Sequence, residues 1–182
     1  MAANVGPSDE EAKDLPRDVP SADRVRELCL AALERRMRTR KELALMLSRK
    51  RIPPEVSGPV LDRLQEVGLV NDEAYARAFV ASRQRTKPRG SRGLSAELYA
   101  KGVSRDVIDR VLAETQESED PVQAARRAVA PKLRSLAGKP PAEIRRKAEQ
   151  FLLRRGFSYE TARAALRVLD AEESEEQPLD LD

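Results

Sequence analysis

The chain has 182 residues, of which 36% are charged, 40% hydrophobic and only 3% aromatic, with one cysteine and no histidine. That inventory excludes a Cys/His zinc site, a histidine general base, a Cys/His nucleophile pair and an internal disulfide, and it suits short amphipathic helices better than an aromatic-rich β-sandwich. The net charge of +3 hides an uneven distribution: setting aside the 13 acids and 2 bases of residues 1–23 and 170–182 leaves 18 acids and 32 bases between them, a net of +14 that attracts nucleic acid or an acidic protein surface.

Residues 1–23 are rich in Pro, Ser and acids, show no apolar period, and are expected to form a disordered tail. They have no basic stretch followed by an apolar run, and nowhere does the chain approach 18 consecutive apolar residues, so a cytoplasmic protein without a membrane span is expected. Val25, Leu28, Cys29, Ala32 and Leu33 recur at helical spacing and predict a helix over about 24–37, with Cys29 as a small buried hydrophobe. Thr39 stands three positions before Glu42, a capping box that opens the helix carrying Leu43 and Leu47.

A pattern then begins that occurs three times: "LSRKRIPPEVSGPVL" at 47–61, "LYAKGVSRDVIDRVL" at 98–112 and "LLRRGFSYETARAAL" at 152–166. Leu43, Leu47, Ile52, Val56, Val60 and Leu61 align with Leu94, Leu98, Val103, Val107, Val111 and Leu112, then with Ala148, Leu152, Phe157, Thr161, Ala165 and Leu166. Helical periodicity alone aligns many positions, so the turns decide. Lys101-Gly102-Val103-Ser104 and Arg155-Gly156-Phe157-Ser158 run basic, Gly, apolar, cap. Gly102 and Gly156 suit the left-handed position after a helix, and Ser104 and Ser158 suit the cap of the next. The first copy places Arg51 at the glycine position, at a cost of about 1 kcal/mol if the turn is kept, and starts its next helix with Pro53-Pro54. Pro59 and Pro131 fall inside helical patterns and are expected to kink or end them.

One further helix precedes each later copy, at about 72–86 and 121–136. The expected fold is therefore all-α, an elongated, right- or left-handed curved array of three tandem three-helix repeats over 24–70, 71–117 and 118–169. Residues 170–182, with seven acids and no base, read as a second disordered tail that offsets the basic face electrostatically.

The chain shows little chemistry. Asp72-Glu73 and Glu119-Asp120 precede predicted helices, where acids meet the positive end of the helix dipole. Gly90 and Gly93 in "RGSRG" follow no strand, so a phosphate loop is not expected. No catalytic residue, metal site or cofactor is assigned. The strongest local feature is basic: Arg77, Arg83, Arg85, Lys87, Arg89 and Arg92 occur with no acid from residue 74 to 96, part of them on a Gly/Pro/Ser connection taken as mobile. With Lys101 they form the candidate partner-binding set. Tyr75, Phe79, Phe151 and Phe157 fall on apolar positions, and only Tyr99 and Tyr159 stand free, so any contact to DNA is expected to be mainly electrostatic and steeply salt-dependent.

With "LDRLQEVGLVNDEAYARAFVASR" at 61–83, "GLSAELYAKGV" at 93–103 and "LLRRGFSYE" at 152–160, the sequence resembles the RecX family, regulators of the bacterial RecA recombinase, over about residues 24–169. Asn71-Asp72 stands where members usually show two adjacent acids. The resemblance implies a non-enzymatic, monomeric modulator in DNA repair that lies in the groove of the RecA nucleoprotein filament and lowers ATP turnover, strand exchange and filament growth. Single- and double-stranded DNA are further partners expected from charge. Two other readings of the residues stay open: a plain electrostatic DNA binder, and a helical adaptor between proteins whose charge is incidental.

Overall fold

The computed structural model describes residues 20–175, and among them all regular structure is α-helical. The chain divides into two compact units, residues 1–70 and 71–182. In the described part of the first unit are α1 (Ala22–Arg35), α2 (Arg40–Arg49) and α3 (Pro54–Glu66). In that of the second are two sets of three: α4 (Asp72–Thr86), α5 (Ser91–Ala100) and α6 (Arg105–Ser118), then α7 (Pro121–Leu136), α8 (Pro141–Arg154) and α9 (Tyr159–Glu175).

Each set of three closes over its own apolar cluster. Val25, Cys29, Leu43, Leu47, Leu61 and Leu64 belong to the first, Tyr75, Val80, Leu94, Leu98, Ile108 and Val111 to the second, and Ala125, Val129, Leu152, Phe157, Ala162 and Leu166 to the third. The aligned positions behave alike down to one detail. Five of the six are buried in every copy, and the remaining one, Val56, Val107 or Thr161, is half-buried in all three. Thr161, the least apolar of the aligned residues, thus falls where the core meets water.

The turn between the second and third helices is also the same in all three copies. Ile52, Val103 and Phe157 donate their N–H groups to the carbonyls of Leu47, Leu98 and Leu152, each at 3.2 Å. Arg51, Gly102 and Gly156 donate to Ser48, Tyr99 and Leu153 at 2.8, 2.9 and 2.9 Å. These paired bonds satisfy the last carbonyls of the helix and require a left-handed residue between them. The φ angles there are 60° for Arg51, 88° for Gly102 and 84° for Gly156, so the first copy keeps the turn despite its side chain.

The caps are mixed. Thr39, fully buried, accepts from the Glu42 N–H at 3.1 Å, and Ser158 accepts from the Thr161 N–H at 3.0 Å. Ser104 occupies the cap position of α6, but its hydroxyl makes no capping bond; its carbonyl takes the Ile108 N–H at 3.0 Å. Pro59 and Pro131 sit inside α3 and α7, which run on past them, so neither ends its helix. Proline loses one backbone hydrogen bond there, a deficit that burial of the helix's apolar face offsets. α9 continues to Glu175, beyond the boundary expected at 169, so the first acids of the C-terminal stretch ride on a helix. The expected N-terminal tail up to residue 19, and residues 176–182, lie outside the described residues.

Candidate interaction surface

The candidate basic residues are spread over α4, the connection of residues 87–90, and α5. Acids from outside the acid-free run, Glu73, Glu97 and Glu114, hold three of the seven. Arg77 donates to Glu73 at 2.6 Å, one helical turn away, and twice to Glu114 of α6 at 3.0 Å. Glu73 also accepts from Arg110 at 3.1 Å. The bonds to Glu114 and then to Glu73 raise the basicity of Arg77, while the bond from Arg77 holds the Glu114 carboxyl below the ordinary carboxylate range. On the α5 side Glu97 takes two arginines, Arg83 at 2.9 Å and Arg89 at 2.5 Å. The Arg83 guanidinium also lies 4.8 Å over the Phe79 ring.

Arg85, Lys87 and Arg92 are exposed and form no ion pair among the described residues. They are the part of the set that no carboxylate of the described residues holds. Lys101 is half-buried and ends α5, its N–H bonded to the Glu97 carbonyl at 3.1 Å. The expected set therefore divides: Arg77 ties α4 to α6, Arg83 and Arg89 tie α4 and the connection to α5, Lys101 is half-buried at the end of α5, and Arg85, Lys87 and Arg92 face solvent.

The connection itself is held and not a mobile strap. Pro88 and Gly90 are buried. The Gly90 N–H donates to the Arg155 carbonyl at 3.1 Å, and the Arg155 guanidinium donates to the Pro88 carbonyl at 3.2 Å while lying 4.6 Å over the Phe151 ring. Burial, and then the charge of Arg89, lowers the basicity of Arg155. Ser91, Arg92 and Gly93 form the first turn of α5. A Cβ on Gly90 would collide with the Gly156 carbonyl, and one on Gly93 with the Arg155 carbonyl. "RGSRG" is thus a backbone contact between the second and third repeats, made against the "RRGFS" turn, and glycine is needed because main chain meets main chain. The expectation of a mobile basic loop fails because nothing local in the sequence shows that contact partner, 67 residues away.

The aromatic residues lie largely as read. Tyr75 and Phe157 are buried, and Phe79 and Phe151 pack against the cores. Tyr99 and Tyr159 are 69% and 55% exposed. Asp120 caps α7 by accepting from the Val122 N–H at 2.9 Å, Asn71 caps α4 from the Ala74 N–H at 2.9 Å, and Asp72 and Glu73 fill the first turn of α4. Among the described residues no three His, Cys, Asp or Glu side chains are grouped to hold a metal ion, and no helix is long and apolar enough to cross a membrane.

The fold and this surface define an all-α protein of tandem three-helix units with a group of exposed cations, Arg85, Lys87 and Arg92, along α4, α5 and the connection between them. Comparison with known proteins narrows that class. The models for the first, second and third three-helix domains of RecX match residues 26–64, 71–112 and 118–166, in that order. The chain is 36% identical over 166 residues to the regulatory protein RecX of Streptomyces coelicolor, covering 91% of this chain and 87% of that one. With its counterpart in Mycolicibacterium smegmatis it shares 38% over 173 residues, 93% and 90% of the two chains. The crystal structure of RecX from Lactobacillus salivarius superposes with a TM-score of 0.72 at 22% identity, over 82% of this chain and 97% of that one. A second RecX crystal structure gives 0.71 at 23%, over 82% and 71%. This chain belongs to the RecX family.

Proposed function

We propose that this protein is a non-enzymatic regulator of the RecA recombinase. It acts as a monomer in the cytoplasm, binds the RecA filament on single-stranded DNA, and lowers its ATP turnover, strand exchange and growth. The observation that carries the reading is family membership along most of the described chain, with all three domain models matched in order. The inventory agrees with it, because a chain without histidine and with its one cysteine buried offers poor material for acid–base or nucleophilic catalysis. Repetition gains meaning too. A filament presents one surface at regular intervals, and a ligand of similar units engages it more than once, so that linked weak contacts gain through effective concentration.

Arg85, Lys87 and Arg92 are the cations we assign to the partner, since Arg77, Arg83 and Arg89 are already held by carboxylates of this chain and have less to gain from another. The deciding experiment is RecA ATPase on single-stranded DNA with increasing amounts of this protein. Turnover falls to a plateau if the reading holds; turnover untouched at saturation overturns it. Reversing Arg85, Lys87 and Arg92 together to Glu shifts half-inhibition about tenfold or more upward, as loss and reversal of rim charges does at other interfaces.

A further inference from the structure

The shared turn lets the third helices of the repeats be compared position by position. Their first residue and those four and eight further on are Pro54, Gly58 and Asp62 in α3, Arg105, Asp109 and Ala113 in α6, and Tyr159, Arg163 and Arg167 in α9. Such a stripe lies along one side of a helix and runs about 12 Å. Folding does not require it to be cationic, because α3 and α6 fold with one acid and with one acid against one base. Asp62 is moreover engaged by Arg40. In α9 the stripe carries two arginines and a ring, all exposed.

Arg163 and Arg167 form no ion pair with the side chains of residues 20–167, although Glu160 is exposed on the same turn as Arg163. The Arg163 guanidinium lies instead 5.7 Å over the Tyr159 ring. A ring with a cation on one face presents its other face for stacking, and Arg154, exposed in the last turn of α8, adds a further cation before the turn. Flat π-surface beside exposed arginines is the combination that holds a strand whose bases are unpaired: a base stacks on the ring and the flanking phosphates meet the guanidinium groups. A duplex keeps its bases stacked on one another and has no use for the ring.

We propose that the Tyr159–Arg163–Arg167 stripe of α9 is a contact site for single-stranded nucleic acid, separate from the α4–α5 cations and independent of RecA. Fluorescence anisotropy of a labelled oligothymidylate with the full chain tests it, with a duplex of equal length and polyglutamate as competitors. Tyr159→Ala weakens strand binding about tenfold, as loss of one stacked base does, and Tyr159→Phe binds like the unaltered chain. Arg163→Gln with Arg167→Gln lowers the slope of log affinity against log salt by about 1.4, two phosphate contacts on a single strand. These side chains are exposed, so helix content by circular dichroism stays constant and separates lost contact from lost fold. Undiminished binding by both variants overturns the proposal, as does competition by duplex or polyglutamate as strong as that by unlabelled strand.

Discussion

Arg51, Gly102 and Gly156 occupy one position in three copies of a turn, and they carry different penalties for the same left-handed backbone. Arg51 pays for its Cβ there, so Arg51→Gly stabilises the protein by up to about 1 kcal/mol, visible as a rise in melting temperature of a few degrees. Gly102→Ala costs about 1 kcal/mol through its φ angle. Gly156→Ala meets two obstacles at once, since φ is positive and the new methyl strikes the backbone of Gly93. It costs about 2–4 kcal/mol, and thermal melts of the two variants side by side distinguish the turn from the contact. Cys29 is fully buried and burial pushes its thiol pKa up, so it stays unreactive toward thiol reagents until the first unit unfolds. The turn glycines and the burial of Cys29 could be read from neighbouring residues; the second role of Gly156 could not.

At the scale of elements, α4 is tied at both ends of its basic face. Arg77 joins it to α6 through Glu114, and Arg83 meets Glu97 of α5. Glu114 has a depressed carboxyl pKa chiefly because Arg77 donates to it, and Glu143 of α8 is depressed by Lys147 and then Lys139. A depressed carboxylate contributes stability above its unfolded pKa and loses it as pH falls through the lower folded value. Stability of the second unit therefore declines on acidification below the ordinary carboxylate range, and Glu114→Gln makes that decline shallower in urea melts recorded at a series of acidic pH values. Glu114 and Arg77 are exposed, so added salt shrinks their share of the effect. The Glu73–Arg77 pair is legible at i, i+4 spacing. Glu97 reaching back to Arg83 and Arg89 is not, because it depends on how α5 returns along α4.

For the whole molecule, the informative quantities are the three separate cores and the distribution of cations. The first cluster draws its buried members from residues 25–70 alone. Leu43→Ala, a truncation of a fully buried side chain, costs about 2–5 kcal/mol. Hydrogen exchange quickens across α1–α3 and keeps its protection across α4–α9, as expected of cores that open as separate cooperative units. The net of +14 between the ends is an electrostatic field that added salt screens, so the proposed contacts to an acidic partner are expected to weaken as salt rises.

Helix type, the number of repeats and the left-handed turn follow from the amino-acid order, because they rest on contacts within a few residues and on a period that local geometry dictates. The aligned apolar positions gave the cores for the same reason. Which cations remain available could not be read that way. Glu97, Glu114 and Arg155 lie 14, 37 and 67 residues from the partners they hold, Arg83, Arg77 and Pro88. Pairing over such separations is set by how helices return on one another, so the fold alone determines that Arg77, Arg83 and Arg89 act as clamps while Arg85, Lys87 and Arg92 stay exposed without an ion pair among the described residues.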